Sequence, residues 1–173
     1  MKIIFIDEKS QIEEIKNYTC DDCIIISLKP HCSYILKKKK IVFLNFSDFY
    51  LHHEEWKNYY KLIKKVETIV TKLNKIKFKN NNLNFFYEHF YIIKIWHDTL
   101  YYHSKCLNKI MNKFNPKEVY FSKKTKLSLD ENLLISNKTN LVELLLSNYQ
   151  HVKIKYFDCK SMNNSEKNSL FSF

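Results

Sequence analysis

Residues 23–50, CIIISLKPHCSYILKKKKIVFLNFSDFY, constrain the fold more than any other stretch of the chain. An apolar run (residues 23–28) leads through Lys29 and Pro30 into a short helical segment, and a second apolar run follows at residues 41–46. Continuous apolar runs of four to eight residues bounded by turn signals read as strands buried on both faces. Pro30 fits a helix start, because a first-turn N–H has no partner to lose there. The stretch is therefore a strand–helix–strand unit. Both strands end in polar residues: Lys29, Pro30 and His31 after the first, Ser47 and Asp48 after the second. Open parallel sheets bind ligands outside the carboxyl ends of their strands, so these two ends are the first place to look for a site.

The rest of the chain extends the pattern. Residues 2–6 (KIIFI) read as a first buried strand closed by Asp7. Residues 10–18 read as a helix, with Ser10 and Glu13 as a capping box. A long helix follows Tyr50, with Trp56, Tyr59, Tyr60, Ile63, Val66, Val70 and Leu73 at steps of three and four. A polar break at residues 80–84 separates it from a second long helix, about 85–114, which stops before Pro116. Residues 117–122 (KEVYFS) read as a further strand, residues 128–138 as mostly loop and residues 139–148 as a helix. Residues 152–157 (VKIKYF) alternate apolar and basic, the mark of a strand near a sheet edge. Alternating strands and helices imply an α/β fold: a Rossmann-like parallel sheet of about five strands, helices on both faces, and two long helices inserted between the third and fourth strands. Residues 1–160 form one domain in this reading, and 161–173 a polar tail or the start of a linker.

Composition excludes several functions. The chain has no Gly among its 173 residues. A dinucleotide fingerprint or a P-loop needs Gly where backbone approaches phosphate, so neither is present and no cofactor is expected. The net charge of +11 suggests an anionic partner. Every basic residue is Lys, however, and Arg is the residue suited to bidentate base and phosphate contacts, so nucleic-acid binding is disfavoured. No apolar run approaches the ~20 residues of a membrane helix. The start, MKIIFIDEKS, turns acidic too early for a signal peptide. A cytoplasmic protein with its five Cys reduced is expected.

Few side chains stand out chemically. Cys20 and Cys23 form a CxxC, but the pair precedes a strand instead of opening a helix, and Asp21 and Asp22 between them would raise thiol pKa values. Packing explains the pair better than redox or metal chemistry, and no second CxxC completes a zinc site. His52 and His53 are metal ligands, ligand contacts or, the plainer reading, solvated surface; His97 and His103 read as core or interface histidines. Asp48 is the most informative acid, with Phe49 and Tyr50 directly after it. It serves as a general base or hydroxyl-binding carboxylate at the ligand edge, as the N-cap of the long helix, or as both.

Four short motifs then fall in a recognisable order: Ser27-Leu28-Lys29-Pro30, Ser33-Tyr34-Ile35-Leu36, Ser47-Asp48-Phe49-Tyr50 and Asn58-Tyr59-Tyr60-Lys61. With Tyr91, Trp96 and the run from Asn115 to Val119, they resemble the amino-terminal domain of bacterial surface or capsular polysaccharide biosynthesis proteins. These are glycosyltransferase-like proteins of the two-Rossmann-domain (GT-B) kind. The resemblance spans roughly residues 1–157. Lys29 stands where the family has Thr, Ser47 where it has Glu, and Lys39-Lys40 where it has a Gly.

The resemblance implies an acceptor-side half. In such enzymes the carboxy-terminal domain mostly holds the nucleotide-sugar donor, and a chain ending at Phe173 corresponds to the other half alone. Asp48 is then the catalytic candidate, with His31, Ser47, Lys123 and Asp7 as substrate-binding candidates and no metal. Implied partners are a second GT-B domain or partner chain and a carbohydrate acceptor. Two rivals stand beside this expectation: a non-catalytic partner module docking through exposed aromatics, and a Lys-driven binder of nucleic acid or anionic surfaces.

Overall fold

A computed structural model of the chain describes residues 1–17, 22–75, 85–122 and 140–157. In chain order, strand β1 (Lys2–Ile6) and helix α1 (Lys9–Glu14) lead to β2 (Cys23–Ser27), α2 (Pro30–Lys38) and β3 (Leu44–Asn45). Helices α3 (His52–Trp56), α4 (Tyr59–Asn74), α5 (Phe85–Glu88) and α6 (Phe90–Phe114) follow, then β4 (Glu118–Phe121), α7 (Leu141–Leu146) and β5 (Lys153–Tyr156). The five strands form one all-parallel sheet in the order β3-β2-β1-β4-β5. The α/β class and the parallel sheet are as the sequence predicts, and β5, the alternating strand, lies at an edge.

The described residues group into two compact units. The sheet unit comprises Met1–Asn45 with the described parts of Pro116–Lys124 and Gln150–Phe173. The helical unit comprises Phe46–Asn115 and the described part of Thr125–Tyr149.

In the sheet unit, side chains alternate between two dry faces. Ile4, Ile6, Ile25 and Tyr120 pack with Ile12 and Ile15, from α1 and the 3-10 turn after it, and with Cys32 and Leu36 of α2. Ile3, Phe5, Ile26, Val119 and Phe121 on the opposite side are also buried. Phe5 and Phe121 stack there at 5.1 Å between ring centres. Burial of each such Ile or Phe side chain contributes about 1.5–3 kcal/mol.

The α2–β3 corner is tighter than the sequence suggests. A strand over residues 41–46 is expected, but β3 spans only Leu44–Asn45. Residues 39–41 are taken up by the end of α2: Lys40 N–H bonds Lys37 O at 3.0 Å, and Ile41 N–H reaches back to Leu36 O at 3.0 Å. Lys40 takes φ 56°, and Ile41 packs against the cluster containing Leu36. This pattern is a Schellman motif with Lys where Gly is usual. At the end of α6 the same task falls to Asn115 at φ 40°, a residue type that tolerates it, with Pro116 preventing continuation.

Other expectations shift in detail. The start of α1 is held by Gln11, not by Ser10 and Glu13. Gln11 Oε1 accepts from the N–H groups of Asp7 (2.8 Å) and Glu8 (2.9 Å), and its Nε2 donates to Phe5 O (2.9 Å). A fully buried amide is stable there because backbone groups satisfy it. The long helix after Tyr50 is interrupted at Lys57 and Asn58, so α3 and α4 are separate. In α4 only Val66 and Val70 are buried, and Tyr60 is exposed. In α6 the buried stripe is confined to its carboxyl half, at Cys106, Leu107, Ile110 and Met111. The loop expected at residues 128–138 and the tail at 161–173 lie outside the described residues.

Candidate functional site

The strand order defines a rim in the sheet unit. From β1 the chain moves to β2 and β3 on one side, and β4 and β5 lie on the other. The reversal falls between β1 and β4, where crevices open at carboxyl ends in doubly wound sheets. Asp7 follows β1 and Ser122 follows β4. Ser122 is 5% exposed, and its Oγ has no hydrogen-bond partner among the described residues. A buried hydroxyl in that state is unusual and asks for an explanation.

The neighbouring carboxyl end is pinned by hydroxyls. Ser27 Oγ donates to Lys29 O at 3.1 Å, and Ser33 Oγ lies 2.9 Å from Ser27 Oγ and 2.8 Å from Asn45 Oδ1. These contacts tie the ends of β2 and β3 to the first turn of α2. The role of Ser27 and Ser33 here is to fix the strand ends. Lys29 occupies the N-cap position of α2, and Pro30 is its first residue. Cys32 sits in the same turn, but burial and the nearby Asp7 carboxylate push its thiol up to about 11. Burial outweighs the favourable helix end, so the thiol is a packing group and not a nucleophile.

The five residues singled out from sequence are distributed as follows. Asp7 (half-buried) and His31 (exposed, second residue of α2) belong to the sheet unit. Ser47 and Asp48, both exposed, lie in a 3-10 turn, Phe46–Phe49, at the start of the helical unit. Lys123 lies outside the described residues, as does Cys20 of the CxxC; Cys23 is the first residue of β2. Asp48 is not the N-cap of the long helix: Leu51 holds that position for α3 and Asn58 for α4. The 3-10 turn and the break at Lys57 and Asn58 come between.

Within the helical unit is a pocket of about 160 Å³ lined by Tyr50, His52, Glu55, Tyr59, Asp98 and Tyr101, with Leu62 as its aliphatic surface. Glu55 is its most deeply placed acid, at 7% exposure. Tyr101 Oη donates to Glu55 Oε2 at 2.5 Å, and Lys105 Nζ is 3.4 Å from Oε1. Burial, and the bond to Glu55, hold the Tyr101 phenol above its usual value. Bonding to Tyr101 and proximity to Glu55 hold the Lys105 ammonium above its own. Both donors therefore keep their protons at neutral pH. Asp98 is paired with Lys94 and lies 3.4 Å from His97 Nδ1.

Aromatic contacts brace this pocket. Tyr50 packs edge-on against His52 (4.8 Å) and against Tyr102 (4.9 Å). Tyr102 meets His103 at 5.1 Å, and burial pushes its phenol up to about 12. Sequence reasoning did not single out Glu55, since an acid near a helix start is ordinarily a solvated residue favoured by the helix dipole. The one sequence signal was Tyr59, four residues after Glu55. Its partners Tyr101 and Lys105 are more than forty positions away.

Among the described residues no three His, Cys, Asp or Glu side chains are grouped to hold a metal, and no helix is long and apolar enough to cross a membrane. Comparison of the chain with protein-family models, with curated proteins and with solved structures finds no match.

Proposed function

We propose that this chain is the acceptor-side, Rossmann-like domain of a GT-B-like glycosyltransferase of surface carbohydrate synthesis. The observation that supports this reading best is the reversal of strand order between β1 and β4, with a buried, unsatisfied Ser122 hydroxyl at its carboxyl side. A hydroxyl-rich acceptor would supply the missing hydrogen bond. In this reading the two long helices are an insertion between the third and fourth strands. The residues that the resemblance singles out keep their expected roles, Asp48 as the catalytic carboxylate and Asp7, His31, Ser47 and Lys123 as acceptor-binding residues. The donor sugar is held by a second domain or partner chain, so the purified chain binds acceptor glycans and transfers nothing.

The test is titration of the purified chain with bacterial surface oligosaccharides, followed by addition of nucleotide sugars. Saturable oligosaccharide binding that weakens in Asp48→Asn, without turnover, is the expected result. Turnover by the chain alone, or the absence of any glycan binding, overturns the reading.

One observation favours a second reading, a non-catalytic docking module. The amino half of α6 exposes Tyr91, Ile92, Ile95, Trp96 and Leu100 along one stretch of helix. Exposed apolar groups gathered in this way mark interaction surfaces. Light scattering across a concentration series, alone and with cell extract fractions, separates the two: a persistent monomer with no captured partner counts against docking.

A further inference from the structure

The pocket around Glu55 has a composition that selects among ligand classes. A metal ion is disfavoured, since no three ligating side chains are grouped among the described residues. An organic cation is disfavoured too. Both acids already face lysines, Glu55 with Lys105 at 3.4 Å and Asp98 with Lys94. Each of two rings already carries a cation over one face, with Lys94 Nζ 5.3 Å from the Tyr59 centroid and Lys105 Nζ 5.2 Å from that of Tyr101. A third cation would meet two like charges at close range.

A neutral, hydroxylated ring meets no such penalty. An ionised carboxylate offers about four acceptor sites. Tyr101 and Lys105 occupy one on each oxygen of Glu55, which leaves acceptor capacity for ligand hydroxyls. Hydrogen bonds to charged acceptors are about twice as strong as neutral ones. Tyr50, Tyr59 and Leu62 add carbon surface for the C–H groups of a ring. The volume of about 160 Å³ lies well below the ~300–1,000 Å³ of drug-sized sites, so it admits one small ring and not an extended chain.

We propose that this pocket binds a single neutral sugar ring, with Glu55 and Asp98 as hydroxyl acceptors and Tyr59 as its stacking wall. The geometry asks for a polyhydroxylated ring; the choice of a sugar among such rings rests on the carbohydrate reading above.

The experiment titrates the full chain with methyl α-glucoside, methyl β-galactoside, methyl α-mannoside and N-acetylglucosamine, with choline as the cationic comparison. Binding is followed by saturation-transfer NMR and tyrosine fluorescence. At least one glycoside is expected to bind saturably and more tightly than choline. Asp98→Asn and Tyr59→Ala, both at partly exposed positions, are expected to weaken that binding about tenfold, the equivalent of about 1.4 kcal/mol. Glu55→Gln should do the same, and the two exposed-site variants keep the test valid if that one fails to fold. Choline binding better than every glycoside, glycoside binding that ignores all three variants, or no saturable binding overturns the proposal. Failure of the acceptor-domain reading looks different: oligosaccharide binding indifferent to Asp48→Asn, with Glu55-dependent monosaccharide binding intact.

Discussion

Lys40 gives the sharpest test of how this chain turns corners without glycine. Its φ of 56° places a residue bearing a Cβ in the left-handed region, where only the Schellman hydrogen bonds at 3.0 Å hold it. That conformation costs roughly 1–2 kcal/mol for a non-Gly residue. Replacement by Gly removes the strain but enlarges the unfolded ensemble, a loss of roughly 0.5–1 kcal/mol. Lys40→Gly should therefore stabilise the chain by about 0.5–1 kcal/mol. With an m-value of about 2 kcal/mol/M, the urea midpoint rises by about 0.3–0.5 M, and the melting temperature rises by about 1–4 °C. Far-UV circular dichroism in a urea series measures it. Two controls isolate the cause. Lys40→Ala keeps the Cβ and removes the charge, and should change stability by less than about 0.5 kcal/mol. Lys37→Gly, three residues earlier within α2, should lose up to about 1 kcal/mol. A lower midpoint in Lys40→Gly would refute the strain argument. An equal gain in Lys40→Ala would refute it too, and would assign the effect to charge relief within the run of lysines at residues 37–40.

Two further outcomes are expected. Ser122→Ala removes a buried hydroxyl with no partner among the described residues, a group that costs about 1–3 kcal/mol unsatisfied. The variant should be more stable by about 1 kcal/mol and bind acceptor glycans more weakly, and a urea melt showing a loss instead would mean that the hydroxyl is bonded. His103, whose Nδ1 lies 2.8 Å from Thr99 O, is held by burial below its usual pKa of 6.5. The unfolded chain therefore takes up this proton first as pH falls. The His103 contribution to stability is full above 6.5 and declines as pH drops from there toward the lower folded value, where it levels off. Urea melts between about pH 5 and 7.5 should show a flatter pH dependence in His103→Gln, and an unchanged slope would exclude His103 as its source.

Legibility differed between the two units. The sheet was readable because strands buried on both faces carry their own signature: KIIFI, CIIIS and EVYF are apolar nearly throughout, while VKIKYF alternates and lies at the edge. Pro30 and Pro116 marked a helix start and a helix stop. Helix interiors were less reliable. The stripe of α4 gave the right element but overstated burial, since Tyr60 is exposed. Periodicity reports which residues share a face, not whether anything covers that face.

Local sequence determined the α/β class, the apolar strand segments and the helix boundaries at Pro30 and Pro116, because those depend on contacts within a few residues. Strand order and the Glu55–Tyr101–Lys105 cluster were decided only in three dimensions. Order depends on which buried surfaces meet. The buried carboxylate is stable only because donors from 46 and 50 residues away arrive beside it, and no window of sequence contains both ends of such a pairing.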